Sequence, residues 1–256
     1  MRQYKAFVKK EFLELYRSGK GWIMLAVFFL FGIMAPAFAK LTPFIMEAFS
    51  DSLSEAGISM KTMEITAISS WQQFYKNAPL ALILFGLVFS SVMINEYQKG
   101  TFVNILTKGM KRWKVIGAKG SVLLTVWTVC YWMSYGTALA YTVYFWDNTE
   151  IRYPWHAAGY VYLFGILLIT AILFFSSIFN SQAAVLGAVG GSVILFYFLE
   201  MIPALSDIIP LRLLAPISIL TGGTEPGDFV GAAVTAAVLI LLFCLGAVFC
   251  FNKKQI

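Results

Sequence analysis

The stretch EYQKGTFVNILTKGMKRWKVIGAK, residues 96–119, is a polar island between two long apolar runs. Its only acidic residue is Glu96, whereas six residues are basic: Lys99, Lys108, Lys111, Arg112, Lys114 and Lys119. Apolar residues recur within it at near-helical spacing, namely Phe102, Ile105, Leu106 and Trp113. This pattern predicts a short amphipathic helix lying beside a membrane. Two interpretations follow: a basic loop that only fixes orientation, or a docking surface through which a soluble partner moves the membrane helices.

Outside this island the chain is dominated by apolar residues. Hydrophobic residues make up 59% of the 256 positions and charged residues 12%, against about 25% charged in a soluble domain. A bilayer core of roughly 30 Å needs about 20 apolar residues of helix. Six continuous runs are of this kind: 22–39, 79–95, 119–145, 157–179, 183–201 and 229–251. The sequence therefore predicts a single all-α membrane domain over residues 1–256, with six transmembrane helices.

The basic residues predict the orientation of these helices. They gather before the first run, in the 96–119 loop and at Lys253–Lys254. The positive-inside rule then places both termini and this loop in the cytoplasm, as expected of a multi-pass plasma-membrane protein. Because the net charge of +6 is spread along membrane edges, it argues for contact with lipid and against nucleic acid.

The first 20 residues predict a helix in the cytoplasmic interface. Tyr4, Phe7, Phe12 and Leu15 form an apolar stripe at helical spacing, and basic residues fill the other face. Each basic residue near anionic lipid contributes about 1 kcal/mol, so the helix is expected to anchor the chain. Whether it also has a mechanical role is open.

The remaining connections carry further expectations. Residues 41–78 form a long outer connection with short helices, and the second span is expected to begin at Asn77–Pro79. Ala184, Gly187, Ala188 and Gly191 give the fifth span a small-residue face suited to another helix or subunit. The Pro-broken segment 202–228 predicts short helices folded back at the outer surface, with an ordinary surface loop as the alternative. Glu200 is either an interfacial carboxylate or a residue of a gate or substrate path.

Catalytic motifs are missing from the sequence. There is no HExxH, no CxxC pair, no Gly-x-Ser-x-Gly elbow and no phosphate-binding loop of the Gly-x-x-x-x-Gly-Lys type. The one histidine, His156, lies at a span boundary beside Trp155. The chain is therefore expected to hold no catalytic residues, no metal and no ATPase site of its own.

The run NEYQKGT at residues 95–101, followed by Ile105–Leu106 and by Lys111–Arg112–Trp113, resembles the cytoplasmic signature of type-2 ABC exporter permeases. The resemblance implies a half-transporter that forms a homodimer, or a heterodimer with a related permease. It also implies docking of ATP-binding cassette ATPase subunits, which bind the ATP and Mg. Glu96, Gly100 and Thr101 would lie at the entry to a coupling helix, and Arg112, in the basic-aromatic pair that leads into the third span, would also take part in coupling or ATPase docking. Phe102, Ile105 and Leu106 would form its docking face.

Function follows from the resemblance as an expectation. The chain would be the permease subunit of an exporter that moves a hydrophobic, peptide or lipid-like substrate out of the cytoplasm. Two alternatives stay open: a non-transporting sensor or assembly subunit, and a partner-free secondary transporter. The near absence of charges within the spans disfavours an ion-coupled carrier.

Overall fold

The computed structural model describes residues 2–48, 65–107 and 109–254, and these residues form helices and turns. Six of the helices are long and apolar enough to cross a membrane. The α-helices are α1 (Arg2–Arg17), α2 (Lys20–Ala48), α3 (Ala67–Phe89), α4 (Ile94–Gln98), α5 (Thr101–Thr107), α6 (Arg112–Phe145), α7 (Pro154–Ile178), α8 (Gln182–Glu200), α9 (Ile217–Leu220) and α10 (Val230–Lys253). The prediction of an all-α membrane protein with six spans is confirmed.

The second span begins earlier than predicted, at Ala67 instead of Asn77–Pro79. The preceding turns of α3 are held by buried aromatic packing. Trp71 is buried and its ring lies 5.1 Å from that of Tyr135 on α6, centroid to centroid. Pro79 therefore lies inside the helix, which membrane helices tolerate where neighbouring helices satisfy the freed backbone groups. Residues 49–64 of the predicted outer connection lie outside the described residues.

The core of the bundle lies where α6 meets α2, α3 and α7. Trp127 of α6 is at its centre, edge-on to Phe28 at 5.8 Å and to Phe85 at 5.5 Å. A Cβ atom at Gly165 of α7 would lie 2.1 Å from the Trp127 ring, so only glycine allows this approach. Close packing of this kind drives helix association in lipid.

The last third of the chain is less enclosed. Only Val185 and Val189 of α8 are buried, whereas α10 packs along α7. Between them lie a 3-10 helix at Pro210–Leu214, then α9, then a 3-10 helix at Pro226–Phe229. Leu213, Ile219 and Leu220 are fully buried, so this segment packs back onto the bundle.

Candidate functional site

The 96–119 stretch contains most of α4, all of α5 and the first turns of α6, so that two short helices lie between the long helices α3 and α6. Helices α4 and α5 are joined by Gly100, and Gly109 follows α5; both glycines have positive φ, +63° and +78°. Glycine adopts this left-handed conformation without steric cost, which lets the chain turn sharply at each place. The Thr101 hydroxyl donates to the Glu96 carbonyl oxygen at 3.4 Å across the first turn. The predicted short helix is therefore set between two glycine turns.

A buried cluster of charged side chains lies beneath this hairpin. Lys119, near the N-terminal end of α6, has a side chain only 1% exposed, and its Nζ lies 2.9 Å from Glu11 Oε2 and 3.2 Å from Glu96 Oε1. The side chains of Glu11 and Glu96 are 7% and 5% exposed. Lys10 completes the cluster, with its Nζ 2.6 Å from Glu96 Oε1 and 3.0 Å from Glu11 Oε1. The cluster therefore joins α1, α4 and α6.

The charges of this cluster nearly balance. Glu14 pairs with Lys10 at 2.8 Å, so three carboxylates face two ammonium groups. Burial alone would lower the pKa of Lys10, but its hydrogen bonds to Glu14 and Glu96 and the charge of Glu11 raise its pKa above the usual value. Oxygens of Glu11, Glu14 and Glu96 lie within 4.8 Å of one another, a spacing that a metal ion also accepts. Because the two ammonium groups already bind these carboxylates, the arrangement is an ion-pair network.

Phe102 lies on the inner face of α5. Its side chain is fully buried, with its ring centroid 4.8 Å from that of Tyr97 and 5.4 Å from that of Phe251 at the end of α10. This differs from the expectation that Phe102 belongs to a docking face. The ring packs inward because α5 is short and its apolar side has Tyr97 and Phe251 as neighbours.

The outer side of the hairpin carries different residues from those expected. Val103 is 44% exposed, and Trp113, at the start of α6, is also exposed. Leu106 is half-buried. The Ile105 side chain lies outside what the structure describes. Of the three predicted docking residues, Leu106 is thus the one whose side chain the structure places partly at the surface.

Arg112 joins the hairpin to the end of the last membrane helix. Its Nη1 donates to the carbonyl oxygens of Phe251, Asn252 at 3.1 Å and Lys254 at 2.7 Å. Carbonyls at a helix C-terminus lack intrahelical partners, so a cation there satisfies them. The sequence predicted Arg112 as a coupling or docking residue but missed this contact, which joins residues 139 or more positions apart.

Lys254 makes a similar contact with the end of α7. Its Nζ donates to the carbonyl oxygens of Ile178 at 3.2 Å and Phe179 at 3.1 Å, and lies 4.0 Å from the centre of the Tyr97 ring. Burial lowers the pKa of Lys254 to about 8, so the side chain is mostly charged at neutral pH. Helix α1, the hairpin and the last described residues therefore meet at one end of the bundle.

Helix α1 binds the bundle through part of its apolar stripe. Tyr4 shares a 2.7 Å hydrogen bond with the Ser121 hydroxyl of α6, and Phe7 is buried. Phe12 is exposed and Leu15 half-buried, so this part of the stripe faces away from the core. Helix α1 thus packs against the bundle with one side and leaves its other side exposed.

Glu200 lies at the last residue of α8, away from the charged cluster. Its side chain is partly exposed, and it has no ion pair with any residue that the structure describes. It does not enter the core of this chain, and its role as a gate or path residue stays a prediction.

A comparison with protein-family models matches residues 6–217 to a family described as ABC-2 family transporter protein. The matched segment includes most of α1, the hairpin and all members of the charged cluster. Searches among curated proteins and among solved structures give no match.

Proposed function

Since the chain belongs to the ABC-2 transporter family and is a membrane permease of an ABC transporter, we propose that it exports a hydrophobic, peptide or lipid-like substrate. Family membership implies association with an ABC ATPase subunit. In the proposal, a separate chain binds ATP and Mg and hydrolyses the nucleotide. In the proposal, both termini and the α4–α5 hairpin lie on the cytoplasmic side of the plasma membrane, in keeping with the positive-inside rule.

The observation that carries the proposal is the attachment of the α4–α5 hairpin to several elements at once. Glu96, just before α5, pairs with Lys10 of α1 and Lys119 of α6, and Phe102 within it packs on Phe251 of α10. A helix that only fixed orientation would need none of these buried contacts. The contacts suit an element whose displacement must reach the membrane helices.

The proposed mechanism is a rigid-body movement. When the ATPase subunits close on ATP, they push on the exposed side of α5, at Val103 and Leu106. The ion pairs of Glu96 and the Phe102 contact keep the α4–α5 hairpin from sliding over its neighbours, so α1, α6 and the end of α10 move with it. Rotation of packed helices in this way switches access to a path from one side of the membrane to the other.

The path itself is proposed to lie between two copies of the chain, or between this chain and a related permease. Helix α8 has little burial within one chain. A Cβ atom added at Gly187 or Gly191 would meet no side chain or neighbouring helix of the described chain within 4 Å. A small-residue face of this kind allows close helix contact in lipid. Glu200, at the end of the same helix, would then border the path.

Docking is tested by a charge placed on the outer side of α5. Val103→Glu is expected to abolish co-purification of an ATPase subunit with the full chain, at unchanged expression and unchanged melting temperature. Ile208→Glu is the matched control, because Ile208 is 43% exposed and lies in the turn after α8. If Val103→Glu retains the ATPase and couples its hydrolysis to transport, α5 is not the docking helix. If the unaltered chain retains no ATPase, the sensor or secondary-transporter alternatives are favoured.

A further inference from the structure

An apolar groove runs between α1 and α2 on the side of α1 that faces away from the bundle. It has a volume of about 450 Å³. Its walls include Phe12, Leu13, Tyr16, Trp22 and Leu25. Leu13, Tyr16 and Trp22 are all exposed, so the groove is open to whatever surrounds the protein.

The groove has its shape because of the turn between the two helices. Gly19 has φ of +71°, which directs α2 away from α1. Gly21 then lies in the groove wall, and a Cβ atom there would come within 3.2 Å of the Leu15 side chain. A larger side chain at residue 21 would therefore fill space that glycine leaves open.

The position of the groove relative to the membrane indicates what kind of molecule occupies it. Helix α2 crosses the membrane from Lys20 onward, so Trp22 and Leu25 lie in the first turns of a span. Tyr16 and Trp22 pack edge to face at 6.0 Å, and aromatic residues of this type favour the headgroup level of a bilayer. The groove thus opens where lipid headgroups meet acyl chains.

The charge at the groove favours an anionic occupant. Lys9 lines it, and this residue makes no hydrogen bond or ion pair within the described part of the chain. Lys5, one helical turn earlier, and Arg17 also have no carboxylate partner there. In contrast, the next residue, Lys10, is turned about 100° around α1 from Lys9 and has its charge satisfied by three carboxylates. Lys9 therefore brings to the groove itself a positive charge that is unpaired among the described residues.

We propose that this groove binds an anionic phospholipid, with an acyl chain along Leu13, Tyr16 and Trp22 and the phosphate at Lys9. This site is independent of the transport proposal. It requires only that α2 crosses a membrane, and it would make the packing of α1 sensitive to the lipid composition of the adjacent leaflet.

The test compares lipid binding to the purified full chain by native mass spectrometry, with phosphatidylglycerol and phosphatidylcholine as probes. Phosphatidylglycerol is expected to bind several-fold more tightly. Lys9→Gln should reduce this preference about fivefold, the contribution of one basic residue at a membrane surface. Lys76→Gln is the matched control, because Lys76 is an exposed lysine of α3 without a partner in the described residues, far from the groove.

Two further variants test the apolar part. Gly21→Leu should fill the groove and weaken binding of both lipids. Leu13→Asp changes an exposed position, so it keeps the protein testable if Gly21→Leu does not fold. Glycerol phosphate, which has no acyl chain, should not compete with the lipid. Equal binding of both lipids, or a preference that survives Lys9→Gln and Leu13→Asp, would overturn the proposal, as would full competition by glycerol phosphate.

Discussion

Replacing Lys119 with methionine tests whether the buried cluster holds the hairpin in place. Methionine keeps the apolar stem but removes the ammonium group that bonds to Glu11, Glu96 and the Val92 carbonyl. Removing one partner of a buried ion pair costs about 3–5 kcal/mol, because the other charge stays buried. Lys10 still reaches both carboxylates but is half-exposed, so we expect a cost near the lower limit, about 3 kcal/mol.

This loss corresponds to a measurable change in melting temperature. For a chain of this size, each kcal/mol shifts the midpoint by roughly 2–4 °C, so Lys119→Met should melt about 6–12 °C lower. The assay is thermal unfolding of the purified chain in one detergent at a fixed scan rate, since unfolding of such proteins is often irreversible. Lys99→Met is the control, because Lys99 is exposed in the same loop, and its effect should stay within about 0.5 kcal/mol.

The double variant Lys119→Met, Glu96→Gln shows whether the two groups act together. Glu96→Gln alone leaves Lys119 with Glu11, whereas the double variant removes both charges of one pair. Its destabilisation should be smaller than the sum of the single effects by about 1–3 kcal/mol. Additive effects, or a Lys119→Met protein as stable as Lys99→Met, would refute the coupling of α4 to α6 through this pair.

Three further predictions follow from the same end of the bundle. Phe102→Ala should lower stability by about 3–5 kcal/mol, as for other buried aromatic truncations, and Phe102→Leu much less; equal melting of the alanine variant and the original would contradict its packing role. Arg112→Gln should speed amide exchange in the last turn of α10 by about tenfold or more, since a charged hydrogen bond contributes about 1.5–3 kcal/mol; unchanged exchange argues against the cap. Lys10→Met should cost about 0.5–1 kcal/mol at both pH 7 and pH 9 in thermal unfolding. Because the pKa of Lys10 is raised in the folded state, its stabilising contribution is fully present at pH values below the unfolded pKa of about 10.4. This contribution is lost only as the pH rises through the folded pKa. A cost of Lys10→Met that shrinks between pH 7 and pH 9 would therefore be inconsistent with the ion pairs.

The membrane helices were predictable because their signal is local. A run of about 20 apolar residues needs no partner to be recognised as a span. The predicted start of α3 was too late because Trp71 and Phe74 pack on Tyr135 of α6 and extend the helix upstream of Pro79. The sequence predicted short helices in this connection, but no local pattern shows that they continue into the span. A proline marks the start of a helix more reliably in a soluble protein than in a membrane bundle. In the bundle, neighbouring helices satisfy the carbonyl groups that the proline leaves without a donor.

The candidate site was predictable in position but not in orientation. The charge pattern and the family resemblance both pointed to the 96–107 region, yet neither shows which face of α5 turns inward. Phe102 packs inward because Phe251, almost 150 residues later, is its neighbour. Likewise, Lys119 was counted as one of six basic loop residues, since its partner Glu11 lies on another helix. Such long-range contacts leave no signal in a single sequence.

The charged cluster also has a consequence for how the protein is made. Its members come from α1, α4 and α6, so it closes only after residue 119 has been synthesised and the first three spans have been inserted. If the second and third spans entered the bilayer in the wrong orientation, Glu96 and Lys119 would be separated from Glu11 and Lys10 by the full membrane thickness. An unpaired charge in a bilayer is costly, so the ion pairs favour the correct topology during biosynthesis.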